Sequence, residues 1–139
     1  MNRWLKLLGT GDGSMDESVV PLVLKNLGFP RKPSVQVGDK VVLYALGHDR
    51  VFAIVEVFAP VKSGDGPHPW DRWRCEVRPV MWTGYADAPN LDALIASGGR
   101  DLRASIRQQS HVKLRDSEYE PAVAALEHAG AERDGFYRP

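Results

Sequence analysis

Hydrophobic positions crowd into a few short runs, and the two densest lie side by side in the first half of the chain. Lys40 to Leu46 (KVVLYAL) and Val51 to Phe58 (VFAIVEVF) are apolar at nearly every position and rich in β-branched and aromatic residues. Only Gly47-His48-Asp49-Arg50 separates them, which predicts a β-hairpin. Continuous rather than alternating apolar character predicts strands covered on both faces, as in a small barrel flanked by helices. Residues 3–8 (RWLKLL) read as a first strand, followed by a glycine-rich turn from Gly9 to Ser14. A short helix is expected after it, capped by Asp16 or Ser18, with Val19, Leu22, Val23 and Leu27 on its apolar side and Pro21 in its first turn. Gly28, Phe29 and Pro30 would end that helix.

Trp73 to Val80 alternates, with Trp73, Cys75 and Val77 on one side and Arg74, Glu76 and Arg78 on the other. This pattern predicts a half-buried strand, with Pro79 marking its edge or its end. Leu91, Leu94 and Ile95 predict a short helix closed by Gly98-Gly99. RQQSHVKL, Arg107 to Leu114, reads as another strand. A last helix is expected from a capping box of Ser117 and Glu120, with Tyr119, Val123 and Leu126 at helical spacing and Gly130 as its stop.

Composition narrows the classes. The 139 residues, 43% hydrophobic and 26% charged, suit a single globular domain over residues 1–139. No apolar run reaches the roughly 18 residues of a membrane span, and the N-terminal run is too short for a signal-peptide core. A lone cysteine, Cys75, leaves no internal disulfide and fits a reducing compartment, so a cytoplasmic protein is expected. The net charge is zero, which argues against indiscriminate duplex binding. Charge is nevertheless uneven, with five basic residues and one acid between Arg100 and Arg115.

Candidate chemistry is sparse. His48, His68, His111 and His128 stand at no metal-ligand spacing, so neither a metal nor a cofactor is expected. No acid/base pair supports catalysis, Cys75 reads as buried, and the glycine-rich turn matches neither phosphate-loop pattern. The densest polar cluster is Arg107-Gln108-Gln109-Ser110-His111, whose residue types suit phosphate and base-edge contacts. Its competing reading is a solvated strand face.

Three stretches carry a family resemblance: the aromatic strand opening at Trp4-Leu5, the block VGDKVVLYALGHDRVFAIVEV from Val37 to Val57, and the close SIRQQSHVKLRDSEYEPAVAAL from Ser105 to Leu126. With the order of elements they resemble the PUA-like superfamily, nearest its EVE and YTH-type branches. The resemblance implies an α+β fold, a small mixed β-barrel flanked by short helices, whose mouth takes a flipped or single-stranded base of DNA or RNA, modified or not. Trp70 and Trp73, where a long loop enters a strand, would then join Gln109, Ser110 and His111 as the base pocket. Trp73 has the competing reading of a core residue, as have Trp4 and Trp82. Arg100, Arg103, Arg107 and Lys113 would contact phosphates, although Arg100 and Arg103 also read as helix-surface charges. The chain departs from YTH-type pockets in having no tryptophan between Trp4 and Trp70. The rival expectations are a small nuclease or hydrolase of the ASCH-like type, or a small-molecule or protein-interaction domain on the same barrel.

Overall fold

A computed structural model describes residues 1–9, 17–45, 47–64 and 72–133. The expected turn beyond Gly9, the Asp16 cap, Leu46, and the loop carrying His68 and Trp70 lie outside the described residues, as does the side chain of Gln108.

The described elements run β1 (Arg3–Leu8), a 3-10 turn (Glu17–Val19), α1 (Val20–Val23), β2 (Asn26–Phe29), β3 (Lys40–Ala45), β4 (Arg50–Val57), β5 (Lys62–Ser63), β6 (Trp73–Trp82), α2 (Asp92–Gly98), α3 (Leu102–Gln109), β7 (His111–Leu114), α4 (Asp116–His128) and β8 (Glu132–Arg133). The sheet is ordered β2-β6-β4-β3-β1-β7, with β5 and β8 added onto β6. β1 and β3 are parallel, and the other pairs are antiparallel. The sheet curls so far that its two ends meet: the Phe29 ring of β2 stands edge-on to the His111 ring of β7, with centroids 5.2 Å apart. The result is an α+β half-barrel.

The hairpin forms where the apolar runs place it, and every residue of β3 after Lys40 is buried. Both faces of the sheet are covered. Trp4, Leu8, Leu27, Phe29, Val41, Leu43, Phe52, Val55, Cys75 and Val77 fill the inside of the barrel. Leu5, Val42, Ile54 and Met81 pack on the other face against Leu94 of α2, Leu102 and Ile106 of α3, and Tyr119, Ala122 and Leu126 of α4. No helix among the described residues is long and apolar enough to cross a membrane.

Five local expectations need correction. The first helix is a single α turn with no side-chain cap, so Ser18 does not cap it. Leu27 instead enters β2, opposite Cys75 on β6, because pairing buries Leu27 and Phe29 in the barrel. The expected strand from Arg107 begins only at His111: Arg107, Gln108 and Gln109 form the last turn of α3. Ile106, on the preceding turn, is buried against the sheet and draws this segment into helix. Pro79 does not end β6, which runs on to Trp82. The proline sits beside a register shift opposite Ile54 and Val55, where a missing N–H is tolerated. The last helix starts earlier than expected, with Arg115 at the N-cap, and Glu118 rather than Glu120 reaches back to the Arg115 backbone N–H at 2.8 Å.

Candidate nucleic-acid interface

Three charged side chains are buried among the described residues: Lys6, Asp39 and Glu118. Two of them are structural ties. Asp39 accepts from the Asn2 N–H at 2.9 Å, the Trp4 Nε1–H at 2.9 Å and the Gln36 N–H at 3.0 Å. Burial alone would raise its carboxyl, but these donors hold it below the usual range. Glu118, fully buried, takes both carboxylate contacts from Arg100, at 2.6 and 2.7 Å.

Lys6 is different. It lies in β1 between Trp4 and Leu8, which point into the barrel, so strand alternation aims Lys6 the same way. Only 4% of the residue is exposed. Its ammonium donates to the Leu7 carbonyl at 3.2 Å and lies 4.8 Å from the centre of the Phe29 ring. Directly across the β1–β7 ladder stands His111. Burial first, and then the charge of Lys6, lower the His111 pKa, so the imidazole is neutral near pH 7. Its ring also lies 5.7 Å from that of Trp4, and its Nδ1 is 3.2 Å from the Ser110 hydroxyl.

The backbone aims this histidine. Ser110 closes α3 with φ of 58° and donates its N–H to Ile106, a left-handed conformation that is unfavourable for a non-glycine residue. The Ser110 carbonyl accepts from the Leu7 N–H at 2.8 Å. The helix therefore stops abruptly and the next residue faces into the barrel.

Of the expected base-pocket residues, the structure brings Trp73, Ser110 and His111 to one region. Trp73 is opposite Phe29 in the β2–β6 ladder, and Phe29 in turn touches His111. Trp73 is half-buried and packs on the barrel core, with the Lys32 ammonium 5.4 Å from its ring. Gln109 is exposed at the end of α3, and Trp70 lies outside the described residues. Trp4 is buried and serves the core, with its indole N–H held by Asp39. Cys75 is buried too, its thiol pushed up to about 11 by burial and then by Glu76 and Asp39, which disfavours a nucleophilic thiolate.

The expected phosphate contacts separate into two groups. Arg100 is committed to Glu118 and donates also to the Lys113 carbonyl at 2.6 Å. Arg103 grips Asp49 in the β3–β4 turn at 2.8 Å and Asp92 of α2 at 2.9 Å. Asp49 also accepts from the Tyr44 hydroxyl at 2.6 Å, so Arg103 belongs to a lock between hairpin and helices. Arg107 and Lys113, by contrast, are exposed. Sequence reasoning missed Lys6. The available signal was a lone lysine at an inward position of the apolar run RWLKLL. Among the described residues no three of His, Cys, Asp and Glu gather to hold a metal ion.

No family model matches the sequence, and no curated protein matches it. Solved structures do. A hypothetical protein from Leishmania major superposes with a TM-score of 0.63 at 16% identity, covering 94% of this chain and 97% of that one. Two point mutants of the ZmASCH protein from Zymomonas mobilis give TM-scores of 0.59 and 0.60 at 14% and 13% identity. They cover 89% and 88% of this chain and 98% and 95% of theirs. The chain accordingly shares the curled α+β half-barrel fold of these structures, ZmASCH among them.

Proposed function

We propose that this protein binds single-stranded nucleic acid by seating one nucleotide at the barrel mouth, beside Trp73 and His111 and within reach of Lys6. The observation that carries this reading is the Lys6 ammonium on the inner wall of the barrel, facing a neutral His111. Burying an ammonium is costly, and a core lysine would be replaced by an aliphatic residue without loss of packing. From its place across the ladder from His111, the ammonium would lie within reach of an anionic or hydrogen-bonding group of a bound nucleotide. The neutral imidazole and the Ser110 hydroxyl add donor and acceptor capacity suited to a base edge. The half-buried Trp73 presents an indole face, and stacking on such a face contributes roughly 1–3 kcal/mol per base. Trp70, three residues before Trp73 in the sequence, and Gln109 at the end of α3 complete the proposed pocket. The PUA-like fold supports the reading, and the EVE-type likeness of the sequence favours a base, modified or unmodified, over other ligands.

The test is a tryptophan-fluorescence titration with nucleoside monophosphates and short oligonucleotides carrying plain, methylated and hydroxymethylated bases. Saturable binding that falls at least tenfold in Lys6→Met, with the melting temperature of that variant unchanged or raised, is the expected result. Equal affinity in Lys6→Met and wild type would remove Lys6 from the site and the reading with it.

A second reading, a small nuclease or hydrolase, is favoured by the same pair. A neutral His111 can accept a proton while Lys6 stabilises a developing oxyanion. Product formation from RNA, abolished in both His111→Gln and Lys6→Met, would select it over binding alone.

A further inference from the structure

Beyond the barrel mouth, the far end of β7 opens into a second basic feature. A cleft of about 370 Å³ is lined by Met1, Asn2, Arg3, Arg100, Lys113, Leu114, Arg115 and Asp116. Its cations are unequally committed. Arg100 is tied to the buried Glu118. Arg3 reaches the exposed Asp116 through one nitrogen at 3.2 Å and lies 4.6 Å from the centre of the Tyr119 ring. Its Nε is buried without a hydrogen-bond partner among the described residues. Arg115 donates to the Gly98 carbonyl at 2.9 Å, and both Arg115 and Lys113 are exposed. Among the described residues neither Lys113 nor Arg115 makes an ion pair, and Asp116 is the one carboxylate among the residues lining the cleft.

The register links this cleft to the mouth. Strand alternation puts Lys113 on the same side of β7 as His111, opposite Trp4 as His111 is opposite Lys6. Two residues of extended strand carry a side chain about 7 Å, of the order of one nucleotide step in a stretched single strand. His111 and Lys113 therefore share one side of β7, and the cleft with Arg3 and Arg115 lies at the far end of the same strand. β7 is also the last strand of the sheet order, so its outer edge carries no ladder partner among the described strands.

We propose that the cleft and Lys113 hold the backbone phosphates of the nucleotides next to the one seated at the mouth, so that the natural ligand is a single strand of at least three nucleotides running along β7. This inference rests on the preceding reading of the mouth. Such contacts would act by charge and not by base identity, making them sequence-independent and salt-sensitive. A duplex, whose bases are already paired and stacked, would bind more weakly than the same strand alone.

The experiment compares the best-bound nucleoside monophosphate with its trinucleotide, in ribose and deoxyribose forms, across a salt series. Proteins are wild type, Lys113→Ala/Arg115→Ala, and Lys113→Glu alone, which leaves the Arg115–Gly98 contact in place. Wild type is expected to bind the trinucleotide at least about tenfold more tightly than the monophosphate at low salt. The double variant should lose that gain, keep its monophosphate affinity and melting temperature, and show a salt slope smaller by roughly 1.4, from about 0.7 per phosphate contact on single strands. Lys113→Glu should lose most of the gain alone. A monophosphate that binds while the trinucleotide does no better overturns the β7 path and leaves the mouth intact. A trinucleotide gain unaffected by either variant also overturns it. No binding of either ligand ends both readings together.

Discussion

Glycine at position 98 shows how a single atom can be forbidden. A Cβ added there would run into Cγ, Cδ and Oε2 of Glu118, a side chain that is fully buried and held by Arg100. Gly98→Ala should therefore cost about 1–3 kcal/mol in urea unfolding, the usual penalty for overpacking a site that cannot yield. An unchanged midpoint would show that Glu118 moves freely. Asp39 makes the complementary case. Removing its carboxylate leaves the buried Trp4 indole N–H and two backbone N–H groups without an acceptor. Asp39→Ala should cost about 3 kcal/mol, since an orphaned buried donor loses roughly 1–3 kcal/mol. Asp39→Asn, which keeps one acceptor oxygen, should lose less.

Between elements, two arginines in similar ion pairs are expected to behave differently. Among the described residues, Arg100→Met leaves the interior Glu118 carboxylate with the Arg115 backbone N–H as its remaining donor. That is the costly way to break a pair, on the order of 3 kcal/mol after allowing for the partial exposure of Arg100. Arg103→Met frees Asp49 and Asp92, which both reach solvent, and should cost under about 1 kcal/mol. Comparable losses in the two variants would contradict the burial difference. The α3–β7 junction offers a sharper test of the site. Ser110 sits at φ 58°, where glycine is at ease, so Ser110→Gly should leave the protein as stable or up to about 1 kcal/mol more stable. It should also weaken nucleotide binding, because the hydroxyl beside His111 is lost.

At the scale of the molecule, pH reports on these groups together. Asp39, Asp49, Glu56 and Glu118 are all held below their ordinary values by the hydrogen bonds they accept. A carboxyl with a lowered folded pKa contributes stability above its unfolded value, near 4, and loses it as pH falls through the folded one. His111 acts in the same direction at higher pH. Its folded pKa is lowered, so the unfolded chain binds its proton first and stability falls once pH drops below about 6.5. Urea midpoints should decline gently from pH 6.5 to 5 and steeply below about 4. His111→Gln should flatten the upper limb only, and an unchanged upper limb would mean that His111 is not the group responsible.

The hairpin, the alternating β6 strand and the two-sided burial of the sheet were all legible in the sequence, because each follows from side-chain periodicity within one element. So was the burial of Cys75, from its place beside Trp73 and Val77. What local pattern could not decide was where partners compete. Leu27 and Phe29 left a plausible helix for β2 because β6 offered a ladder and the barrel a cavity to fill. Arg107 to Gln109 turned helical because Ile106, one turn earlier, had a sheet to pack against. The site followed the same rule. His111 was visible as a polar residue near a strand. Lys6 mattered only once the curl of the sheet placed it inside the barrel, across from that histidine, since a lysine in an apolar run looks the same from the sequence whether its ammonium reaches water or the interior.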